Sequence, residues 1–79
     1  MPKLSPWLAA VIRSRREVAG ISQEELADRA EVHRTYVSLV ERSKRNLTVD
    51  ALDRLASGLG VSASRLLVEA EAIRAKGRR

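Results

Sequence analysis

The chain reads as an all-α protein, a compact bundle of five helices. Ser, Thr, Gly and Pro residues stand at intervals that divide it into five segments, each with apolar residues at helical spacing. No stretch alternates apolar and polar residues over the length of a strand. A length of 79 residues makes one small domain, a single unit over 1–79, with no space for a separate ligand-binding or catalytic module.

The first helix is expected to begin after Ser5 as N-cap and to end near Gly20, with Pro6 at its first position, where a missing N–H costs nothing. Leu8, Val11 and Ile12 form its inner face, and Arg16 lies one turn beyond Ile12 on that side. Ser22 and Glu25 open the second helix in capping-box spacing, so that hydroxyl and carboxylate each satisfy a backbone N–H. Leu26, Ala27 and Ala30 are its inward stripe. A corner at Glu31, Val32 and His33 leads into a third helix over about 34–43, with Val37 and Val40 inward. Thr48 caps the fourth, which turns Leu52, Leu55, Ala56 and Leu59 inward and stops at Gly60, a residue that readily takes the left-handed C′ conformation. Ser62 caps the fifth, over about 63–75, and 76–79 form a frayed basic tail.

Fifteen Lys and Arg against ten Asp and Glu give a formal charge of +5. The isoelectric point is near 10.7, a balance that favours polyanionic partners such as nucleic acid. With no Cys there is neither a disulfide framework nor a thiolate metal site, and no metal or cofactor is expected. The longest apolar runs fall far below the ~20 residues that span a bilayer, and the basic-then-apolar start lacks a cleavage-like end. A soluble cytoplasmic bacterial protein with no membrane partner is therefore expected. The single His33 sits at a helix start beside arginines, and no acid pair is placed around a pocket, which disfavours an enzyme.

The chemistry lies on the outer face of the third helix. A major groove about 12 Å wide accepts one α-helix, whose first turn reaches base edges. Arg34, Thr35, Tyr36 and Ser38 are polar or amphipathic and occupy that turn, opposite the apolar stripe. Arg34 can fork onto O6 and N7 of guanine; Thr35 offers a hydroxyl for a base edge and a methyl for thymine. Tyr36 suits either a phosphate or packing against base methyls. A surface helix built only for solubility mixes in acids, yet between Arg34 and Leu47 only Glu41 is acidic.

Phosphate contacts are expected from the flanks. Gln23 stands at the start of the second helix, where free N–H groups and the helix dipole favour a phosphate oxygen. Arg42, Lys44, Arg45 and Asn46 form a second cluster able to reach the backbone or an adjacent minor groove, and His33 is a corner or phosphate-contacting residue. For Glu41 a structural role is expected: helical phase lets it pair with Arg16 and tie the first helix to the third.

The chain resembles the XRE (Cro/C1-type) helix-turn-helix family in G-I-S-Q-E-E-L-A at 20–27, R-T-Y-V-S-x-x-E-R at 34–42 and L-x-x-L-A-x-x-L-G-V-S at 52–62. The likeness runs from about residue 7 to 68 and, through R-T-Y-V-S-L-V-E-R-S-K-R-N-L-T at 34–48, is most similar to the controller proteins of restriction–modification systems. It implies a lambda-repressor-like domain with its helix-turn-helix at helices 2 and 3. It also implies a transcriptional regulator that binds a palindromic duplex operator as a homodimer and controls its own gene and the restriction gene in tandem. Base or phosphate roles for Gln23, Arg34, Thr35, Tyr36, Ser38, Arg42, Arg45 and Asn46 follow from the same resemblance. Two positions depart from the pattern. Glu31 stands where many relatives carry Gly, and Arg15 stands where an aliphatic residue is common, so its stem should pack while its head reaches solvent.

One helix-turn-helix reads few base pairs, and two copies about one DNA turn apart, roughly 34 Å, double the readout. Leu66, Leu67, Ala70 and Ile73, widened by Val68, are the expected dimer surface. RNA polymerase is a further candidate partner, through Glu24 or Asp28 on the second helix, and association with the nucleoid follows from DNA binding. The alternatives are a phage-type or chromosomal repressor and the antitoxin of a toxin–antitoxin pair.

Overall fold

The computed structural model describes residues 3–77 and contains five helices: α1 (Ser5–Ala19), α2 (Gln23–Ala30), α3 (Arg34–Glu41), α4 (Val49–Gly58) and α5 (Ala63–Lys76). Four of them open on a side-chain cap. Ser22 Oγ accepts from the Glu25 N–H at 3.0 Å, Thr48 Oγ1 from Ala51 at 3.0 Å and Ser62 Oγ from Arg65 at 3.1 Å. For α3 the cap is an imidazole, His33 Nδ1, which accepts from the Thr35 N–H at 3.1 Å. Each satisfies one of the donors that a helix start leaves without an intrahelical partner. Glu25 does not complete the capping box: its carboxylate instead takes Arg29, one turn on, at 2.6 Å.

α1 departs from expectation at its start. Leu4, not Ser5, is the N-cap, and no side chain caps it. The Leu4 carbonyl accepts from the N–H groups of both Trp7 and Leu8 at 3.0 Å while its side chain packs against the core. That burial draws the helix one residue earlier than the Ser-Pro signal suggests. At the other end of the chain α5 remains helical through Lys76, and the arginines at 78–79 of the expected tail lie outside the described residues.

Four helices end in one device. The residues at Gly20, Glu31, Ser43 and Gly60 all have positive φ, between 56° and 76°. In each case the next residue's N–H reaches back to a carbonyl five positions earlier: Ile21 to Arg16, Val32 to Ala27, Lys44 to Leu39 and Val61 to Ala56. These are Schellman closures, which satisfy the last carbonyls and reverse the chain within three residues. Ile21, Val32 and Val61 then drop onto the core just after the reversal. α3 accordingly stops at Glu41, with Arg42 as C-cap, two residues short of the expected Ser43.

Ile12, Leu26, Val37, Val40, Leu55 and Leu66 are the large side chains wholly removed from solvent, so every helix contributes to one core. α1 packs on α5 and α3, α2 on α3 and α4, and α4 on α5. The α2–α3 pair thus stands on a platform of the other three. Gly58 permits the close approach of α4 to α2: a Cβ there would meet Leu26 Cδ1 at 3.1 Å and the Ala30 nitrogen at 3.3 Å. No described helix is long and apolar enough to cross a membrane.

Glu31 turns the α2–α3 corner at φ 56°, where a side chain is strained and glycine is not. Glu31→Gly should therefore stabilise the fold by about 0.5–1 kcal/mol, the relieved strain exceeding the added freedom of the unfolded chain. Urea unfolding is expected to show a higher midpoint at unchanged slope.

Candidate nucleic-acid interface

α3 divides its surface cleanly. Val37 and Val40 point into the core, while Arg34 and Thr35 are exposed and Ser38 is half-buried beside them. Arg34, Thr35 and Ser38 line a shallow groove of about 210 Å³ whose fourth wall is Gln23, from the first turn of α2. Three of the four residues expected to read bases therefore meet the residue expected to hold a phosphate at the helix-2 start. Nothing in the groove is acidic, and an exposed guanidinium beside two hydroxyls and an amide is a donor-rich, base-sized surface.

Below this groove lies the polar link between α1, α2 and α3. Arg16 donates from Nε to Glu41 Oε2 at 2.7 Å and from its terminal nitrogens to Glu41 Oε1 at 3.0 Å and the Ile21 carbonyl at 2.9 Å. Gln23 Nε2 donates to Glu41 Oε1 at 3.1 Å. The Glu41 side chain is 2% exposed and that of Arg16 13%, so this is a buried bidentate pair with satisfied oxygens. The Glu41 hydrogen bonds and charge raise the Arg16 pKa against the opposing pull of burial. The pairing expected from helical phase is present, and Gln23 is its third member. Gln23, which also lines the groove, is thereby tied to the end of α3.

On the far side of α3 a cleft of about 490 Å³ separates it from the start of α4, lined by Val32, His33, Thr35, Tyr36, Leu39, Arg45, Thr48, Ala51 and Arg54. Arg54 donates to the Glu31 carbonyl at 3.1 Å and so braces the corner, a role that the outward phase of Arg54 in its own helix does not announce. Arg42, Lys44, Arg45 and Asn46 are all exposed around the closure of α3. Among the described residues, Arg42 is the one of the four whose side chain makes a hydrogen bond, a long 3.4 Å bond from Nε to the Ser38 carbonyl. The Tyr36 hydroxyl is buried with no hydrogen-bond partner among the described residues, so in this arrangement it faces neither a base nor a phosphate. The residue lines this cleft and is partly buried against the core.

On α5 the monomer core takes two of the four residues expected at a dimer surface. Leu66 and Ala70 are wholly buried in the monomer core and have no surface to offer a second copy. At about 100° per residue, Leu67 and Ile73 fall on opposite flanks of that buried stripe. Leu67 is half-buried against the core; Ile73, 41% exposed, borders a groove on the α1 side with Ala10, Val11 and Ala72. Val68, 56% exposed, faces outward next to Leu67. Arg15 does not simply reach solvent: its Nε donates to Glu69 Oε1 at 2.9 Å and a terminal nitrogen contacts Oε2, joining α1 to α5. Hydrogen bonds from Arg15, with its charge and that of Arg65, hold the Glu69 carboxyl below the ordinary value near 4.5 despite partial burial. Among the described residues no group of three His, Asp or Glu is placed to hold a metal ion.

The paired helices α2 and α3, with a donor-rich face at the start of α3, have the arrangement of a helix-turn-helix, and comparison with known proteins agrees on that motif. The helix-turn-helix family HTH_3 matches residues 12–66, and the chain belongs to this family of DNA-binding transcriptional regulators. It is 45% identical over 60 residues to control protein C.SmaI of Serratia marcescens, covering 76% of this chain and 71% of that one. The wild-type restriction–modification controller protein C.Esp1396I superposes with a TM-score of 0.79 at 33% identity, covering 91% of this chain and 99% of that one. For the restriction–modification controller protein C.AhdI from Aeromonas hydrophila the values are 0.75 and 33%, over 77% and 92% of the two chains. The chain also matches longer regulators, spanning 58% of a Neisseria meningitidis transcription factor and 42% of two from Mycobacterium tuberculosis.

Proposed function

We propose that this protein is the controller of a restriction–modification system, binding a palindromic operator at the promoter of its own gene as a homodimer on nucleoid DNA in the bacterial cytoplasm. The observation that carries the reading is the convergence of Arg34, Thr35, Ser38 and Gln23 on one acid-free groove. With α3 in the major groove, Arg34 forks onto a guanine, Thr35 and Ser38 meet neighbouring base edges, and Gln23 and the α2 N-terminus hold a phosphate. His33, Arg42, Lys44, Arg45 and Asn46 grip the backbone on either side or reach into the minor groove. Tyr36 joins them by turning out of its cleft; an unsatisfied buried hydroxyl costs about 1–3 kcal/mol, so the rotation loses little and gains a partner. Similarity to C.SmaI and C.Esp1396I, both named as controllers, favours this setting over a chromosomal repressor or an antitoxin. Contact with RNA polymerase through Glu24 and Asp28, both exposed on α2, fits the same role.

For the homodimer the α5 flank at half-buried Leu67 and exposed Val68 takes the place of the four-residue stripe that the sequence suggests. With Ile73, 41% exposed on the opposite flank, it is the apolar surface that α5 leaves outside the core.

Binding of a duplex spanning its own promoter, measured by fluorescence anisotropy beside a random duplex, tests the assignment of roles. Arg34→Ala should cost about 1–3 kcal/mol on the promoter and little on random DNA, whereas Arg45→Ala should weaken both alike and flatten the salt slope by about one unit. Equal losses on both duplexes for Arg34→Ala would move it to the phosphate group. Val68→Asp places an unpaired charge at the proposed interface and should shift sedimentation from dimer to monomer, lowering promoter affinity by about 2 kcal/mol or more. A variant still dimeric at micromolar concentration would remove α5 from the interface.

A further inference from the structure

We propose that His33 acts in operator recognition as a neutral imidazole, with Nδ1 capping α3 and Nε2–H donating to a DNA phosphate, so that protonation uncaps the helix and lowers discrimination. The inference rests on the DNA-binding reading and adds to it a pH-dependent positioning residue.

The Thr35 backbone N–H can only donate, and its acceptor 3.1 Å away is His33 Nδ1. A ring in that bond carries its one proton on Nε2 and offers DNA a donor from an exposed residue. A second proton would go to Nδ1, setting donor against donor at the first turn of α3, the turn that holds Arg34 and Thr35. The charged groups sharing its cleft are the guanidiniums of Arg45, from the α3–α4 loop, and Arg54, from α4; Arg34 follows it in the chain. Glu31, the nearest acid in the corner, is exposed and does not line that cleft. Added positive charge otherwise tightens binding to any DNA, so uncapping should appear as a fall in the promoter-over-random ratio.

The test measures that ratio at about pH 7.5 and about pH 5.5, spanning the range in which imidazoles titrate, together with imidazole ¹⁵N shifts of the free protein. The wild-type ratio should fall about tenfold, the size of a lost cap. His33→Asn, which caps through its side-chain oxygen and does not titrate, should hold the ratio constant, and His33→Ala should show the lowered ratio at both pH values. The ¹⁵N shifts should report the Nε2–H tautomer at about pH 7.5. A wild-type ratio that stays level or rises, a fall shared by His33→Asn, or an Nδ1–H tautomer would each overturn the proposal. Absence of any promoter preference at about pH 7.5 would instead overturn the DNA-binding reading, leaving the tautomer to be judged separately.

Discussion

The ion pair between Arg16 and Glu41 holds α3 to the rest of the molecule, and locally it is an improbable one. Glu41 is the last residue of α3, where the helix dipole disfavours a carboxylate, and its side chain is almost wholly buried. Removing such a charge from water costs several kcal/mol unless it is paired and its oxygens are filled. Arg16 supplies two hydrogen bonds and Gln23 a third, so the cost is met only when α1, α2 and α3 stand together. Any rotation of α3 about its axis breaks that geometry. The donor-rich face of Arg34, Thr35 and Ser38 is therefore aimed by a carboxylate on the opposite end of the same short helix.

The other end of α3 is set by the corner. Glu31 in a left-handed conformation, the Val32 closure onto Ala27 and the His33 cap fix where the helix begins, and Arg54 braces the corner carbonyl from α4. Eight residues make too short a helix to persist in isolation, so its position comes from these two anchors and from Val37 and Val40 in the core. Gln23 belongs both to the buried network and to the exposed groove. A phosphate contact there would be coupled through Glu41 to α3, the helix proposed to read bases.

Much of this was legible in the residues. Caps at Ser22, Thr48 and Ser62, the apolar stripes of α2 to α4, Gly60 in a left-handed turn and the Arg16–Glu41 pair all follow from spacing, because helical periodicity decides which side chains share a face. What escaped depends on tertiary geometry. Whether Leu66 and Ala70 close the monomer or a dimer cannot be read from a stripe, since both require the same pattern. The Arg15–Glu69 bridge joins residues 54 positions apart, and the tight seat of Gly58 against Leu26 depends on how α4 crosses α2. Histidine is an uncommon N-cap, and the burial of the Tyr36 hydroxyl contradicts the tendency of a phenol to find a partner. Those two departures fall on the proposed DNA-facing surface, where local rules are most often set aside for function.

The claim that the buried pair seats α3 is tested most directly by a double-mutant cycle of Arg16→Met and Glu41→Gln, with stability read from urea unfolding. Each substitution keeps the side chain's approximate volume and removes one charge. Each single variant should lose several kcal/mol while the double variant recovers part of the loss, giving a coupling of about 2 kcal/mol or more. A coupling below about 0.5 kcal/mol, the range of an exposed surface pair, would contradict the account.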